Sequence, residues 1–238
     1  KNKLGKNKIV LPSYQSEYSL NLSGSYITDD YFVMTQPQTS TMLHQVLPDL
    51  PVGRLPAESL SEAKVLIDKT LAYYNNLNNQ STPFGDWRLK LDFVADDDKD
   101  GGIPFHTILN ENAIKPTFEN TNNKTEYNVK KLYLDAFPAV STSAGQRYPS
   151  VNQKTTEAFS NSLFLFYLGH GGINGWAQER VLTSSEVSSL NNFNTIYSRF
   201  PLVSTITCDF TLWDNPSIFS VGEQVIKKNT GGAATMIT

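Results

Sequence analysis

The sequence predicts an α/β fold with a mainly parallel sheet. Short apolar runs of strand length alternate with segments of helical spacing along most of the chain. Strands that are separated by helices form parallel sheets covered on both faces. The 238 residues, 39% of them hydrophobic, can bury a full core. Three capping boxes mark helix starts, at Ser59 and Glu62, at Thr183 and Glu186, and at Ser220 and Glu223.

The N-terminal part predicts one helix and a subdomain boundary. A polar stretch leads through 50–56 into the helix that begins after Ser59. A polar break over 75–82 then separates a smaller α/β subdomain, residues 1–80, from a main domain over 81–238. One buried face of the helix is defined by residues at helical spacing, namely Ala63, Leu66, Ile67, Leu71 and Tyr74.

The main domain is predicted to alternate strands and helices. The last residues, 231–238, predict a strand cut short, which indicates that the chain is a piece of a longer protein. Helices are predicted over 105–114 and 155–160, from Thr183 to Leu190, and from Ser220 to a stop over 229–232. Strands are predicted over 87–95, 130–134, 163–168 and 202–207, the first with Leu89, Leu91 and Phe93 on one face.

Composition and charge exclude several classes of protein. The net charge of −3 and the isoelectric point near 5.6 give no electrostatic basis for binding nucleic acid or an anionic membrane. No apolar stretch approaches the roughly 18–20 residues that span a bilayer. The single cysteine, Cys208, excludes an internal disulfide framework and a cysteine-based zinc site. In a secreted protein, such an unpaired thiol is a candidate reactive group.

A histidine and the cysteine follow two successive predicted strands. His170 comes after one apolar run and Cys208 after the next. Side chains used for chemistry collect at the carboxyl ends of parallel strands, so we expect the imidazole to activate the thiol. Gly171 and Gly172 let the backbone approach a substrate, and the N–H groups of Gly171 and Cys208 are candidates for an oxyanion hole. The alternative is a structural histidine with a small buried cysteine.

An acidic turn follows the strand predicted over 87–95. The match to a calcium-binding loop fails at the twelfth position, which is Thr107 instead of glutamate. The turn is therefore a solvated acidic turn, a calcium site, or the source of a carboxylate that orients His170. The residues that match the first half of the loop are Asp96, Asp98 and Asp100, followed by Gly101.

Three further side chains have two interpretations each. His106 stands at the start of a predicted helix and is either a structural residue or a ligand. Trp176 follows the His170 loop, and Trp213 follows Cys208. Each tryptophan either walls a substrate pocket or packs in the core.

These residues resemble the gingipain family of clan CD cysteine peptidases. The resemblance implies a caspase-like α/β/α sandwich that a smaller, partial α/β subdomain precedes. It is carried by the segments 51–59, 85–88, 93–97, 167–172, 176–177 and 207–210. It implies these roles: Cys208 as nucleophile, His170 as general acid and base, Gly171 with Cys208 as oxyanion hole, and Asp96 or Asp97 as third catalytic residue.

Part of the chain resembles the family members that act as signal peptidase and sortase of type IX secretion, through the segments 213–217 and 220–223. That likeness implies removal of a C-terminal sorting domain from secreted cargo and transfer of the cargo to an anionic lipopolysaccharide. It also implies other secretion components as partners and a location on the outer surface of a Gram-negative outer membrane. The chemistry requires no cofactor, while the family implies a structural calcium ion.

Ile103 bears on substrate preference. Arg-specific gingipains have an acidic pocket residue at the matching position, so the resemblance implies a different specificity here. Two other functions stay open, a non-catalytic binding module of a secretion complex and a general secreted protease. The presence of both His170 and Cys208 disfavours the first, and Ile103 together with the segment after Cys208 disfavours the second.

Overall fold

The chain divides into two compact units. A computed structural model describes residues 12–15, 27–35, 48–75, 85–98, 103–119, 126–193, 198–215 and 217–238. The smaller unit comprises Lys1–Pro56 and Trp213–Ile218, and the larger one comprises Ala57–Leu212 and Phe219–Thr238. The boundary predicted near residue 80 differs from this division, because the first helix belongs to the larger unit.

The smaller unit contains a short antiparallel ribbon. Strand β1 (Tyr14–Gln15) pairs with strand β2 (Ile27–Thr28). Arg54 binds both carboxylate oxygens of Asp29, at 2.8 and 2.5 Å. The same guanidinium lies 4.4 Å from the ring centre of Trp213. Arg54 therefore links three described segments of this unit.

The larger unit is built on a five-stranded parallel sheet, which confirms the predicted α/β fold. Its strands are β3 (Lys90–Ala95), β4 (Asn128–Tyr133), β7 (Phe164–Leu168), β10 (Leu202–Ile206) and β11 (Thr235–Ile237), in the order β11-β10-β7-β3-β4. The same unit has two separate two-stranded hairpins, which are β5 (Val140–Thr142) with β6 (Gly145–Arg147), and β8 (Gly171–Gly172) with β9 (Gly175–Trp176). The helices are α1 (Leu60–Asn75), α2 (Phe105–Phe118), α3 (Pro149–Asn161), α4 (Ser184–Ser189) and α5 (Val221–Lys227).

Apolar side chains cover both faces of the sheet at its centre. One face packs against α3, α4 and α5, through residues such as Leu165 and Val203. On the other face, Phe93 packs with Ile114 of α2. Within the described part of the chain, this second face is exposed at β10 and β11, where Ile206 and Ile237 are 60% and 61% exposed. Among the described residues, the predicted cover on both faces therefore holds for β3 and β7 and not for the α2 side of β10 and β11.

Two predicted apolar faces are wrong in part. Leu89 lies in a 3₁₀ turn before β3 and is exposed, so the strand is shorter than predicted. On α1, Ile67 and Leu71 are exposed, whereas Leu66 and Lys69 are buried. A lysine can be buried along its aliphatic stem when its amine reaches hydrogen-bond acceptors, which residue spacing does not reveal. The side chain of Tyr74 lies outside the described residues.

The helix starts follow the predicted capping signals. Both halves of the capping box form at Thr183 and at Ser220. At Ser59 the hydroxyl accepts the Glu62 N–H at 3.2 Å, but the Glu62 carboxylate accepts the N–H of Glu58 instead of closing the box. Among the described residues, no helix combines the length and apolar character that crossing a membrane requires.

The order of the strands reverses between β3 and β7. Strand β4 lies on one side of β3, and the later strands β7, β10 and β11 follow one another on the other side. Such a switch point leaves a crevice outside the carboxyl ends of the two strands, where ligands of open α/β sheets bind.

Candidate active site

Asp96 joins the ends of the two strands at the switch point. It follows β3 directly, is 2% exposed, and donates its N–H to Leu168 O at 3.1 Å. Its Oδ2 accepts the backbone N–H of His170 at 2.8 Å, and its Oδ1 accepts the N–H of Asp97 at 2.9 Å. Burial raises the pKa of the Asp96 carboxyl, although the two N–H donors act in the opposite direction. Asp96 therefore fixes the backbone of the loop that carries His170.

His170 and Cys208 occupy matching positions at the edge of the sheet. Leu168 of β7 pairs with Ile206 of β10, and each candidate lies two residues farther along its chain. The N–H of Gly169 donates to Ile206 O at 3.2 Å, which continues the pairing beyond the strands. Neighbouring strands lie about 4.8 Å apart, so the imidazole and the thiol start from adjacent backbone positions. Cys208 is exposed, which leaves its thiol accessible to a substrate.

Trp176 is buried beside the His170 loop instead of lining a substrate pocket. Its side chain is fully buried, and its indole stacks on the ring of Tyr167 with centroids 4.5 Å apart. The hydroxyl of Tyr167 and the N–H of Ala177 both donate to His170 O, at 2.5 and 2.8 Å. Of its two sequence-based interpretations, the structure supports core packing, with the indole against the tyrosine that binds the carbonyl of His170.

Gly171 brings the His170 loop against the residue that precedes Cys208. A β-carbon at Gly171 would overlap Thr207 Oγ1 and would lie 3.0 Å from Gly175 O. At Gly172 a β-carbon would meet nothing within 4 Å. Gly171 therefore lets its loop lie against Thr207 and Gly175, and the role of its N–H in an oxyanion hole stays a prediction.

A cleft of about 650 Å³ opens beside His170. It is lined by the loop from His170 to Gly175 and, across from it, by Arg180, Thr183 and Ser184. Pockets for ligands commonly measure about 300–1,000 Å³. The predicted substrate-contact residue Gly172 lies in this lining, whereas the predicted contact Trp213 belongs to the smaller unit.

Three carboxylates meet next to the same loop. One oxygen from each of Asp96, Asp97 and Glu179 lies within 4.8 Å of the others. The hydroxyl of Tyr148 donates to Asp97 Oδ2 at 2.7 Å, and burial, followed by that bond, raises the pKa of Tyr148. Burial is also the main cause that raises the pKa of Glu179, and the charges of Asp97 and Asp96 raise it further.

The described members of the predicted calcium set bind different partners. Asp96 holds the backbone of His170, whereas Asp98 lies with its Oδ1 2.8 Å from His106 Nδ1 and accepts the His106 N–H at 3.1 Å on Oδ2. Asp100 lies outside the described residues. Among the described residues, the carboxylates that converge are those of Asp96, Asp97 and Glu179, of which the half-motif contains Asp96. A calcium ion held by Asp96, Asp98 and Asp100 stays a prediction.

The start of α2 lies next to His170. The rings of His106 and His170 are 5.2 Å apart between centroids, at an interplanar angle of 77°. Ile103, two residues before α2, is 67% exposed. The predicted substrate contact at Ile103 thus has an accessible apolar side chain.

One comparison with known proteins decides the family. The sequence model of the family described as peptidase family C25 matches residues 3–238. The chain belongs to peptidase family C25. This is the gingipain family of clan CD cysteine peptidases, so the predicted family and the predicted class of enzyme are confirmed at that level. Beyond it, no curated protein and no solved structure is significantly similar to the chain.

Sequence reasoning assigned no individual role to three residues that lie at this candidate site. Glu179 lies far along the chain from Asp96 and Asp97 and carries no motif of its own. Tyr148 is an isolated tyrosine before α3, and its contact with Asp97 spans 51 residues. Thr207 had a detectable signal, since it directly precedes the only cysteine. The other two depend on tertiary contacts that no local pattern encodes.

Proposed function

We propose that this C25 chain is a cysteine endopeptidase and transpeptidase with Cys208 as nucleophile and His170 as general acid and base. The observation that carries the proposal is the matching position of these two residues beyond the paired strands β7 and β10, with His170 in the lining of the cleft. Family membership makes the enzyme a cysteine peptidase, and Cys208 is the only cysteine in the sequence.

The proposed chemistry follows from these positions. His170 takes the proton of the Cys208 thiol, and the thiolate attacks the carbonyl carbon of a peptide bond. The N–H groups of Gly171 and Cys208 bind the oxyanion that forms. His170 then gives the proton to the leaving amine, and a thioester on Cys208 remains. Water releases the acid by hydrolysis, whereas an amine nucleophile forms a new amide and completes a transfer.

Asp96 is the better candidate for the third residue of the site. Its Oδ2 binds the His170 N–H directly, whereas Asp97 binds the hydroxyl of Tyr148. Asp96 would act by holding the His170 loop in place, because the contact is with the backbone. No cofactor takes part in the proposed steps. A structural calcium ion stays a prediction from the family resemblance, and no step depends on it.

The finer proposal is a role like that of PorU, the signal peptidase and sortase of type IX secretion. It is supported by the resemblance of the segments 213–217 and 220–223, and by an apolar residue, Ile103, at the acidic pocket position of Arg-specific gingipains. The proposed substrates are secreted cargo proteins with a C-terminal sorting domain, and the acceptor is an amine of an anionic lipopolysaccharide. The proposed place of action is the outer surface of the outer membrane, alongside other secretion components.

The test uses a cargo protein with its sorting domain, a generic peptide library and an added small amine. We expect the unmodified protein to remove the sorting domain and to yield an amide with the amine, as detected by mass spectrometry. Cys208→Ala and His170→Ala should lose both products while keeping the circular dichroism of the unmodified chain. Cleavage that persists in Cys208→Ala would refute the thiol mechanism.

The same experiment separates the alternatives. A protein that binds cargo and never processes it would be a binding module. Equal cleavage of the generic library, with hydrolysis alone and no amide, would identify a general protease. Selective removal of the sorting domain with transfer to the amine supports the sortase role.

A further inference from the structure

A second histidine lies against His170 and is itself held by a carboxylate. His106 is in the first turn of α2, and its Nδ1 lies 2.8 Å from Asp98 Oδ1. Asp98 Oδ2 also accepts the backbone N–H of His106 at 3.1 Å. The side chains of His106 and Asp98 are only 12% and 8% exposed. Asp98 therefore fixes the backbone of His106 by a hydrogen bond. Its Oδ1 also lies at ion-pair distance from His106 Nδ1, which makes no hydrogen bond within the described part of the chain.

The ring of His106 meets the ring of His170 in an edge-to-face arrangement. The centroids are 5.2 Å apart and the planes are at 77°, within the range that aromatic pairs prefer. Phe105 extends the row, with its ring 5.5 Å from that of His106 and at 75°. The row thus runs from an exposed phenylalanine through His106 to the candidate general acid and base.

The backbone of His170 is fixed by other groups, and its ring needs a separate support. Asp96 binds the His170 N–H, and Tyr167 and Ala177 bind its carbonyl. These bonds leave rotation about the Cα–Cβ and Cβ–Cγ bonds free. The ring of His106 limits that rotation, because it packs against the imidazole from the α2 side.

We propose that His106, anchored by Asp98, is the positioning residue that sets the plane of the His170 imidazole for proton transfer with Cys208. This role rests on the proposed function, because it gives the ring orientation a chemical purpose. It gives a role to His106, which the sequence left as a structural residue or a ligand, and to Asp98, which the sequence left as part of an acidic turn or a calcium site. Orientation is energetically important, since a misplacement of about 1 Å can lower a rate by about 100-fold.

Alkylation of Cys208 by iodoacetamide tests the proposal without a known substrate. The chain has one cysteine, so the mass added reports a single site. The thiolate displaces iodide, and the rate as a function of pH therefore reports how well His170 promotes the thiolate. We expect His106→Ala and Asp98→Ala to lower the rate at pH 7 by about tenfold and to shift the pH profile towards that of an unassisted thiol.

Conservative variants distinguish ring positioning from a general structural effect. His106→Phe keeps the ring, and Asp98→Asn keeps an acceptor for the His106 N–H, so both should retain most of the alkylation rate. Ile108→Ala, which removes a 43% exposed side chain from the same helix, is the matched control and should leave rate and profile unchanged. If His106→Ala does not fold, as judged by circular dichroism, Asp98→Ala decides.

Two different failures can be told apart. If His170→Ala alkylates as fast as the unmodified chain at every pH, the proposed Cys208–His170 chemistry fails. If His170→Ala slows alkylation and neither His106→Ala nor Asp98→Ala changes the rate or the profile, the dyad stands and the positioning role is overturned.

Discussion

Asp96 binds the backbone of His170 through a carboxylate oxygen that lies 2.8 Å from the His170 nitrogen, across 74 residues of sequence. The bond joins the carboxyl ends of β3 and β7, the two strands between which the order of the sheet reverses. A buried carboxylate therefore contacts the backbone of the candidate general acid and base, and this bond does not involve the imidazole nitrogens of His170. The geometry of the loop and the orientation of the ring therefore depend on different residues, Asp96 for the first and His106 for the second.

Substitutions of Asp96 test whether its carboxylate fixes the loop that carries His170. Asp96→Ala leaves the N–H groups of His170 and Asp97 without their carboxylate acceptor and should lower the free energy of unfolding by about 1–3 kcal/mol. Asp96→Asn can still offer one oxygen to His170 and should cost less. The loss of Cys208 alkylation should follow the same order, with Ala more severe than Asn.

The pH dependence of the Asp96→Asn effect has a definite sign. Burial raises the pKa of Asp96 above the ordinary value of 3.8, so in the interval above 3.8 the folded chain holds a proton that the unfolded chain has lost. The contribution of Asp96 to stability is therefore full at acid pH and falls as pH rises through the raised pKa. Urea unfolding at pH 4 and pH 7 should show a smaller stability advantage of the unmodified chain over Asp96→Asn at pH 7. An advantage that grows with pH would contradict the burial argument.

Gly171 offers a further prediction, with a matched control one residue away. Gly171→Ala forces a β-carbon against Thr207 Oγ1 and near Gly175 O, so we expect a loss of about 1–3 kcal/mol in unfolding free energy and displaced loops. Gly172→Ala meets nothing within 4 Å and should leave the stability unchanged.

A double substitution checks the cause of the Gly171 effect. Thr207→Ala removes the oxygen that the new β-carbon would strike, so Gly171→Ala with Thr207→Ala should be less destabilised than the sum of the two single variants. Chemical unfolding of the four chains gives the coupling directly. Strict additivity would show that the contact with Thr207 is not the source of the strain.

Sequence patterns predicted the sheet and the edge where the candidate residues gather. Apolar runs located β7 and β10, and their parallel register places His170 and Cys208 at corresponding positions. The capping box at Ser220 marked the start of α5, because its two hydrogen bonds lie within one turn. These signals are local, so a sequence contains them in full.

Long-range contacts account for what the patterns missed. Glu179 reaches Asp96 and Asp97 only through the fold, and Trp176 is buried because it stacks on Tyr167. The acidic turn resembled half of a calcium loop, but the carboxylate of Asp98 contacts His106 of the following helix. Polar residues near a strand end can take several partners, and tertiary structure decides among them.

Two helix caps of the same type should differ in their contribution to stability. Thr183 caps an exposed helix start, and Thr183→Ala should cost about 1 kcal/mol. Ser220 is fully buried, and its hydroxyl also accepts the N–H of Leu212 at 3.2 Å, four residues after Cys208. Ser220→Ala leaves this N–H and the buried Glu223 carboxylate each short of a partner, so we expect about 2–3 kcal/mol. Equal losses in urea unfolding would mean that the Leu212 bond adds nothing.

Burial of Lys69 predicts that the free energy of unfolding rises with pH in the alkaline range. The side chain is fully buried on α1, and its Nζ donates to the carbonyls of Ile226 and Lys228 at the end of α5, at 2.8 and 3.2 Å. Burial, followed by the nearby charge of Lys228, lowers the pKa of Lys69 to about 7 from 10.5. Between these two values the unfolded chain holds a proton that the folded chain has lost, so stability rises with pH, by at most about 1.4 kcal/mol per pH unit.

Lys69→Met removes this slope, and the advantage of the unmodified chain over the variant should grow from pH 7 to pH 9 in urea unfolding. Lys64→Met, on the same helix with a 74% exposed side chain, should keep the slope of the unmodified chain. If Lys69→Met keeps it too, the amine of Lys69 stays charged in the folded protein, and its two carbonyl contacts must then offset the cost of burial.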